Sequence, residues 1–224
     1  VMPRTDDTAR AWRGTLGPAV YDYRALGAEA DVVRVMAYDQ HAGRTRPGPV
    51  AGLPWVRAVA AYAAATVPPE RVELGVCTYG RAWSGRSAAS LTGPGARSLA
   101  RRHGARVRFD AAQAESTFRY RADGGPRTVW FCDARSVAAR VRVARQRGFR
   151  GVALWAAGTE LPGVCGAPLT PHTHRADTSG GRLALRAGRG VLAQAHGAVH
   201  AAQPRRGPPV GPAHRNGPPT ASSA

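Results

Sequence analysis

Val32-Val33-Arg34-Val35-Met36-Ala37-Tyr38-Asp39 (VVRVMAYD) is the stretch on which the fold turns. Val and Met suit a buried strand. The run stops at Tyr38 and Asp39 and gives way to Gly43 and Pro47-Gly48-Pro49, which is loop chemistry. In a strand, alternate residues share a face. Val33, Val35 and Ala37 form a small apolar face suited to packing under helices. Arg34, Met36 and Tyr38 form a mixed face. A parallel strand with helices outside and a site at its carboxyl end is a barrel or doubly wound pattern. An ordinary core strand ending in a turn fits these eight residues equally well.

The pattern recurs outward from this stretch. Pro54 to Thr66 predicts a helix with Pro in its first turn and Trp55, Val59 and Tyr62 on its apolar side. Arg71 to Thr78 predicts a second strand, with Val72, Leu74 and Val76 outward and Glu73, Gly75, Cys77 and then Tyr79 inward. Arg150 to Ala156 predicts a third buried strand, with Gly151, Ala153 and Trp155 inward. Asp133 caps a predicted helix that Gly148 ends. Tyr21 to Glu29 predicts another helix. A shorter helical portion is expected at Thr8 to Arg13. Val1 to Pro3 reads as the tail of a strand. Residues 84 to 129 break this rhythm. Three short strands are expected there, at Arg106 to Asp110, Ser116 to Arg121 and Thr128 to Cys132. The last two flank the hairpin signal Asp123-Gly124-Gly125. In this register Arg34 meets Glu73 within ion-pair reach.

The chain has 224 residues and a net charge of +18. Every basic residue counted there is Arg; Lys and Ile are absent, and Asn216 is the single Asn. That bias points to GC-rich coding DNA. The Arg residues are scattered, without the stacking aromatics of a nucleic-acid binder, so that class is disfavoured. Cys77, Cys132 and Cys165 show no metal-ligand spacing, and two or three of them are expected as buried free thiols. No run approaches the roughly 18 apolar residues of a membrane span. No cofactor is indicated. Every Trp, Tyr and Phe lies at or before Trp155, and Asp177 is the single acidic residue after Val164. Residues 162–224, rich in Arg, Pro, Gly and Ala, are therefore expected to be a disordered tail. A weak Ala-rich helix at Leu183 to His200 would put His196 and His200 at i, i+4. With only His172 or His174 as further ligands, no metal site is assigned.

The segments VMAYDQH, LGVCTYGRAW, VWFCDARS and GFRGVALWAAGTE, in this order and spacing, resemble the second half of a family-18 glycoside hydrolase domain. The resemblance covers residues 1–161 and lies nearest the spore-cortex and chitinase-like branch. It implies an α/β fold, a partial (β/α)8 TIM barrel. Val1 to Pro3 ends the fifth strand, the three named strands are the sixth to eighth, and 84–129 is a small β-rich insertion. It implies hydrolysis of β-1,4 bonds in an N-acetylated polysaccharide, chitin or a peptidoglycan glycan strand. These enzymes are the substrate-assisted exception among retaining glycosidases. The resemblance carries over Tyr38 as the tyrosine that steadies the substrate acetamide. It carries over Met36 and Asp39 as cleft lining, Trp155 as the floor under the sugar, and Tyr79 as a wall. A secreted or cell-envelope location is expected on the same ground.

The family's general acid belongs to a D-G-x-x-x-D-x-E motif, which this sequence does not contain. Glu73, Glu115 and Glu160 stand in other contexts. A full barrel takes about 250 residues. The first half of the domain is thus expected to be lost or encoded elsewhere, and a reading-frame change near residue 161 is expected to account for the tail. A chain without the acid is expected to be inactive alone. A non-catalytic carbohydrate-binding remnant is the alternative.

Overall fold

The computed structural model describes residues 1–6 and 18–164. The expected helix at Thr8 to Arg13, Cys165, and residues 165–224 of the expected tail with their five histidines lie outside the described residues.

Helix α1 spans Tyr23–Glu29, and Asp22 caps it by accepting from the Arg24 and Ala25 amides. Strand β1 is Val33–Val35, shorter than the expected eight residues. The Met36 amide turns to the Val1 carbonyl (3.0 Å), and the Ala37 and Tyr38 amides bond back to Val35 and Met36. Regular pairing therefore stops early. Its two faces still separate as alternation requires, with Val33, Val35 and Ala37 buried. Helix α2 spans Leu53–Thr66. Its buried side is Val56, Val59, Ala60 and Ala63; Trp55 and Tyr62 are only partly buried against the core. The small residues face the sheet because they let the helix approach closely.

Strand β2, Val72–Cys77, pairs in parallel with β1, and Arg34 stands opposite Glu73. Their ion pair is present at 2.6 Å. The Arg34 side chain is 63% exposed, so the pair stands open to solvent. The chain then passes Thr78 into an antiparallel sheet. This holds β3 (Tyr79–Ser84), β4 (Ser87–Thr92), helix α3 (Gly93–Arg102), then β5 (Arg108–Asp110), β6 (Glu115–Ala122) and β7 (Gly125–Phe131). Its order is β4-β3-β7-β6-β5. The β6–β7 turn is Asp123-Gly124, both at positive φ, as a two-residue hairpin demands. The β-rich segment is thus wider than 84–129. Ser, Ala and Arg in β3 and β4 have little intrinsic strand preference, and cross-strand pairing overrides it. Helix α3 was likewise hidden by Gly93-Pro94-Gly95; Thr92 caps it by accepting from the Gly95 amide.

Helix α4, Ala134–Gln146, leads to β8, Gly151–Trp155, which lies parallel to β2. The parallel sheet has three strands, β1-β2-β8. Among the described residues it does not close into a barrel. Strand β8 is half-buried rather than buried, since β2 covers just one of its edges. Packing continues past residue 161: Leu161 and Val164 are buried in the same apolar cluster as Val76, Phe118, Phe131 and Val137.

Candidate functional site

The three parallel strands bring their carboxyl ends to one rim. There Cys77 stands opposite Trp155. Tyr38, just past β1, stacks on Trp155 with ring centroids 6.3 Å apart and planes 12° apart. It meets Tyr79 edge-on at 6.4 Å. Gly75 makes room for this arrangement. A Cβ there would lie 2.6 Å from the Val35 carbonyl oxygen and 3.0 Å from the Tyr38 ring. Trp155 is 57% exposed, an unusual state for a large indole in a chain with few aromatics.

Asp39 sits at φ 59°, which swings it out of the strand direction. Its Oδ1 accepts from the Tyr79 hydroxyl (2.6 Å) and from Arg81 Nη2 (2.7 Å) and Nε (3.0 Å). Arg81 also donates to Ser90 Oγ at 2.9 Å and lies over the Tyr79 ring. Burial raises the Tyr79 phenol, and its bond to the Asp39 carboxylate raises it further. Tyr38 is raised too, by burial first and then by the Asp39 charge. Both hydroxyls therefore stay protonated and can donate. The Tyr79 hydroxyl is already committed to Asp39. The Tyr38 hydroxyl has no hydrogen-bond partner among the described residues.

A cleft of about 270 Å³ opens here, lined by Asp39, Tyr79, Arg81, Trp155 and Thr159 among others. Met36 and Tyr38 are not part of its lining. Behind Trp155 the backbone is held firmly. The Thr78 hydroxyl bonds the Ala156 carbonyl and Thr159 Oγ1, and the Trp155–Ala156 peptide is cis.

The carboxylates named from the sequence are elsewhere. Glu73 pairs with Arg34. One oxygen of Glu160 is buried without a hydrogen-bond partner. Glu115 is fully buried and accepts from the Val50 and Ala51 amides (2.9 and 2.6 Å) and from Arg140 (3.0 Å). Burial pushes its carboxyl up to about 7 against the pull of Arg140 and the two amides.

Two further features went unread in the sequence. Cys77 and Cys132 form a disulfide, not free thiols, because Cys77 ends β2 and Cys132 follows β7 where the two sheets meet. Arg81 falls on the Tyr79 face of β3, which alternation carried past Thr78 would have found. Cys77, Cys132 and Glu115 put ligand-type atoms within 4.8 Å of one another. The sulfurs are bonded to each other and both Glu115 oxygens are occupied, so this is no metal centre.

A family model described as glycosyl hydrolases family 18 matches residues 3–160. The chain belongs to glycosyl hydrolases family 18. It is 30% identical over 149 residues to the cortical fragment-lytic enzyme of Bacillus subtilis, covering 63% of this chain and 35% of that protein. Among solved structures, the Chromobacterium violaceum chitinase superposes with a TM-score of 0.64 at 37% identity. That match covers 66% of this chain and 48% of the chitinase. The Bacillus cereus spore cortex-lytic enzyme SleL superposes with a TM-score of 0.67 at 26% identity, covering 73% and 39%. The chain spans little more than a third of the curated relatives it matches, 35% in the first case above and 37% in another. The mixed α/β architecture is that of family-18 proteins. No helix of the described residues is long and apolar enough to cross a membrane.

Proposed function

We propose that this chain is the sugar-contacting C-terminal part of a family-18 hydrolase domain acting on an N-acetylhexosamine polymer, either chitin or peptidoglycan. Strands β1, β2 and β8 take the sixth, seventh and eighth places of a (β/α)8 barrel, with Val1 to Pro3 ending the fifth. The observation that carries this reading is the convergence of Tyr38 and Trp155 at one rim, stacked at 6.3 Å. An exposed indole suits the apolar face of a pyranose ring. The unpartnered Tyr38 hydroxyl suits the acetamide oxygen. In the whole domain a carboxylic acid protonates the leaving glycosidic oxygen while the acetamide oxygen attacks the anomeric carbon. Tyr38 then steadies the charge that develops on the acetamide. Asp39 and Tyr79 shape the wall beside it. The Cys77–Cys132 bond supports an oxidising, extracytoplasmic location.

This sequence contains no D-G-x-x-x-D-x-E acid motif. The second reading, saccharide binding without turnover, is therefore the one proposed for the chain by itself. Glu115 supports it, being committed to two amides and Arg140 rather than open to a substrate. Titration with N-acetylglucosamine oligomers, followed by tryptophan fluorescence, tests both readings. Binding is expected in the wild type and is weakened about tenfold in Trp155→Ala, the loss of one stacked aromatic. Reducing-end release should stay at background. Absence of oligomer binding overturns the saccharide reading, and turnover overturns the non-catalytic one.

A further inference from the structure

The antiparallel sheet carries a second groove, away from the Tyr38–Trp155 rim. It has a volume of about 490 Å³, and its lining includes Arg106, Arg108, Arg119, Thr117, Thr128 and Trp130. The sheet register explains why these residues gather. Directly paired residues of an antiparallel sheet share a face. Ser90, Arg81, Trp130, Thr117 and Arg108 are successive partners across β4, β3, β7, β6 and β5. The row begins in the cleft, at Ser90 and Arg81, and ends in the groove, at Trp130, Thr117 and Arg108. Four inter-strand steps place its ends about 19 Å apart. The neighbouring row adds Arg119 and Thr128.

The charge of this groove is not balanced. Arg106, Arg108 and Arg119 are exposed, and none forms an ion pair or hydrogen bond among the described residues. Asp110 is the acidic member of the lining, and its Oδ1 already accepts from the Gln113 amide at 2.9 Å. The Arg81 guanidinium in the cleft is, by contrast, neutralised by Asp39. Half-buried Trp130 offers a ring surface, and Thr117 and Thr128 offer hydroxyls. The other aromatic of the lining, Phe118, is buried, and one accessible ring among hydroxyls and cations differs from the repeated stacking platforms that hold single-stranded nucleic acid.

We propose that this groove binds an acidic polysaccharide, with Arg106, Arg108 and Arg119 pairing its carboxylates and Trp130 contacting a sugar ring. The choice of a saccharide rests on the reading above; the requirement for negative charge does not.

The test uses the full 224-residue chain, so that the basic tail is constant across all variants. Polygalacturonate serves as the acidic probe and an N-acetylglucosamine oligomer as the neutral one, both by calorimetry. The wild type should bind polygalacturonate with an affinity that falls as salt rises. Arg106→Glu/Arg108→Glu/Arg119→Glu should weaken that binding by about tenfold to a hundredfold, as the loss of three exposed ion pairs predicts. The Gln triple variant should show a smaller loss and guards against misfolding. The charge-matched control, Arg97→Glu/Arg101→Glu/Arg102→Glu on α3, should bind as the wild type does. Equal loss in the control overturns the proposal in favour of bulk charge. Equally groove-dependent retention of double-stranded DNA overturns it in favour of a nucleic-acid surface. Binding of the neutral oligomer should be unchanged in the groove variants and weakened about tenfold in Trp155→Ala. If that oligomer fails to bind at all while polygalacturonate binding follows the groove, the cleft reading fails and the groove stands.

Discussion

Replacing Arg140 by Met strikes the centre of the fold. Arg140 is 1% exposed and donates to Glu115, to the Ala114 and Ser136 carbonyls, and to the Ala51 carbonyl. It thereby ties α4 to the start of β6 and to the loop that enters α2. Removing the guanidinium strands Glu115 in a fully buried site and leaves the Ala51 and Ala114 carbonyls underserved. Breaking one side of a buried pair costs about 3–5 kcal/mol. The loss should also depend on pH, in a direction fixed by linkage. The Glu115 carboxyl is raised from its ordinary 4.5 to about 7, so its contribution is fully present below 4.5 and is lost as pH rises through 7. Without Arg140 the folded value climbs further. The stability gap between Arg140→Met and wild type should therefore widen as pH rises above about 7 and stay constant below it. Urea unfolding monitored by circular dichroism at several pH values measures it. Adding Glu115→Leu should recover part of the loss, though the Val50 and Ala51 amides remain unpaired. If Arg140→Met does not fold, Arg140→Lys reports the same pH trend. A gap under about 1 kcal/mol that is flat with pH refutes the account of a tightly coupled buried pair.

Cys77→Ala/Cys132→Ala opens a link between residues 55 apart in sequence, and chain entropy sets its loss at about 4 kcal/mol. Thiol labelling of the denatured, unreduced protein should find neither Cys77 nor Cys132 reactive. Asp133 is held below its ordinary range: burial opposes this, but the Ser136 amide, Arg135 and Ser116 outweigh it. Asp133→Ala should cost about 1–2 kcal/mol as a lost helix cap. The wild-type contribution should fade as pH falls through the depressed folded value, below 3.8, in an acid-unfolding titration. Arg34→Ala should change the urea midpoint little, less than about 1 kcal/mol, because that pair stands open to solvent.

Alternation in VVRVMAYD, RVELGVCT and RGVALWA was enough to place the strand faces and the Arg34–Glu73 register. It placed Tyr38 and Trp155 at one rim for the same reason: residues of equal parity on paired strands share a side. Capping chemistry placed α4, since Asp133 and Gly148 act within one turn of the chain. The Cys77–Cys132 bond was not legible, because Cys77 and Cys132 approach through the packing of two sheets. Nor were β3, β4 and α3, whose Ser, Ala, Gly and Arg residues have weak preferences of their own. Arg81 escaped notice because a strand was ended at Thr78 when the chain merely changed sheets.

The order of residues by itself settled the local rhythm of strand and helix, the apolar and mixed faces, and kinship with a sugar-hydrolase family. Those properties depend on neighbours a few positions apart. Only the tertiary structure decided that Glu115 is an internal tie to Arg140, that Asp39 holds Arg81 in the cleft, and that three unpaired arginines share one groove. Each of these depends on which distant segments come within a few ångströms, where burial and charge change what a side chain can do.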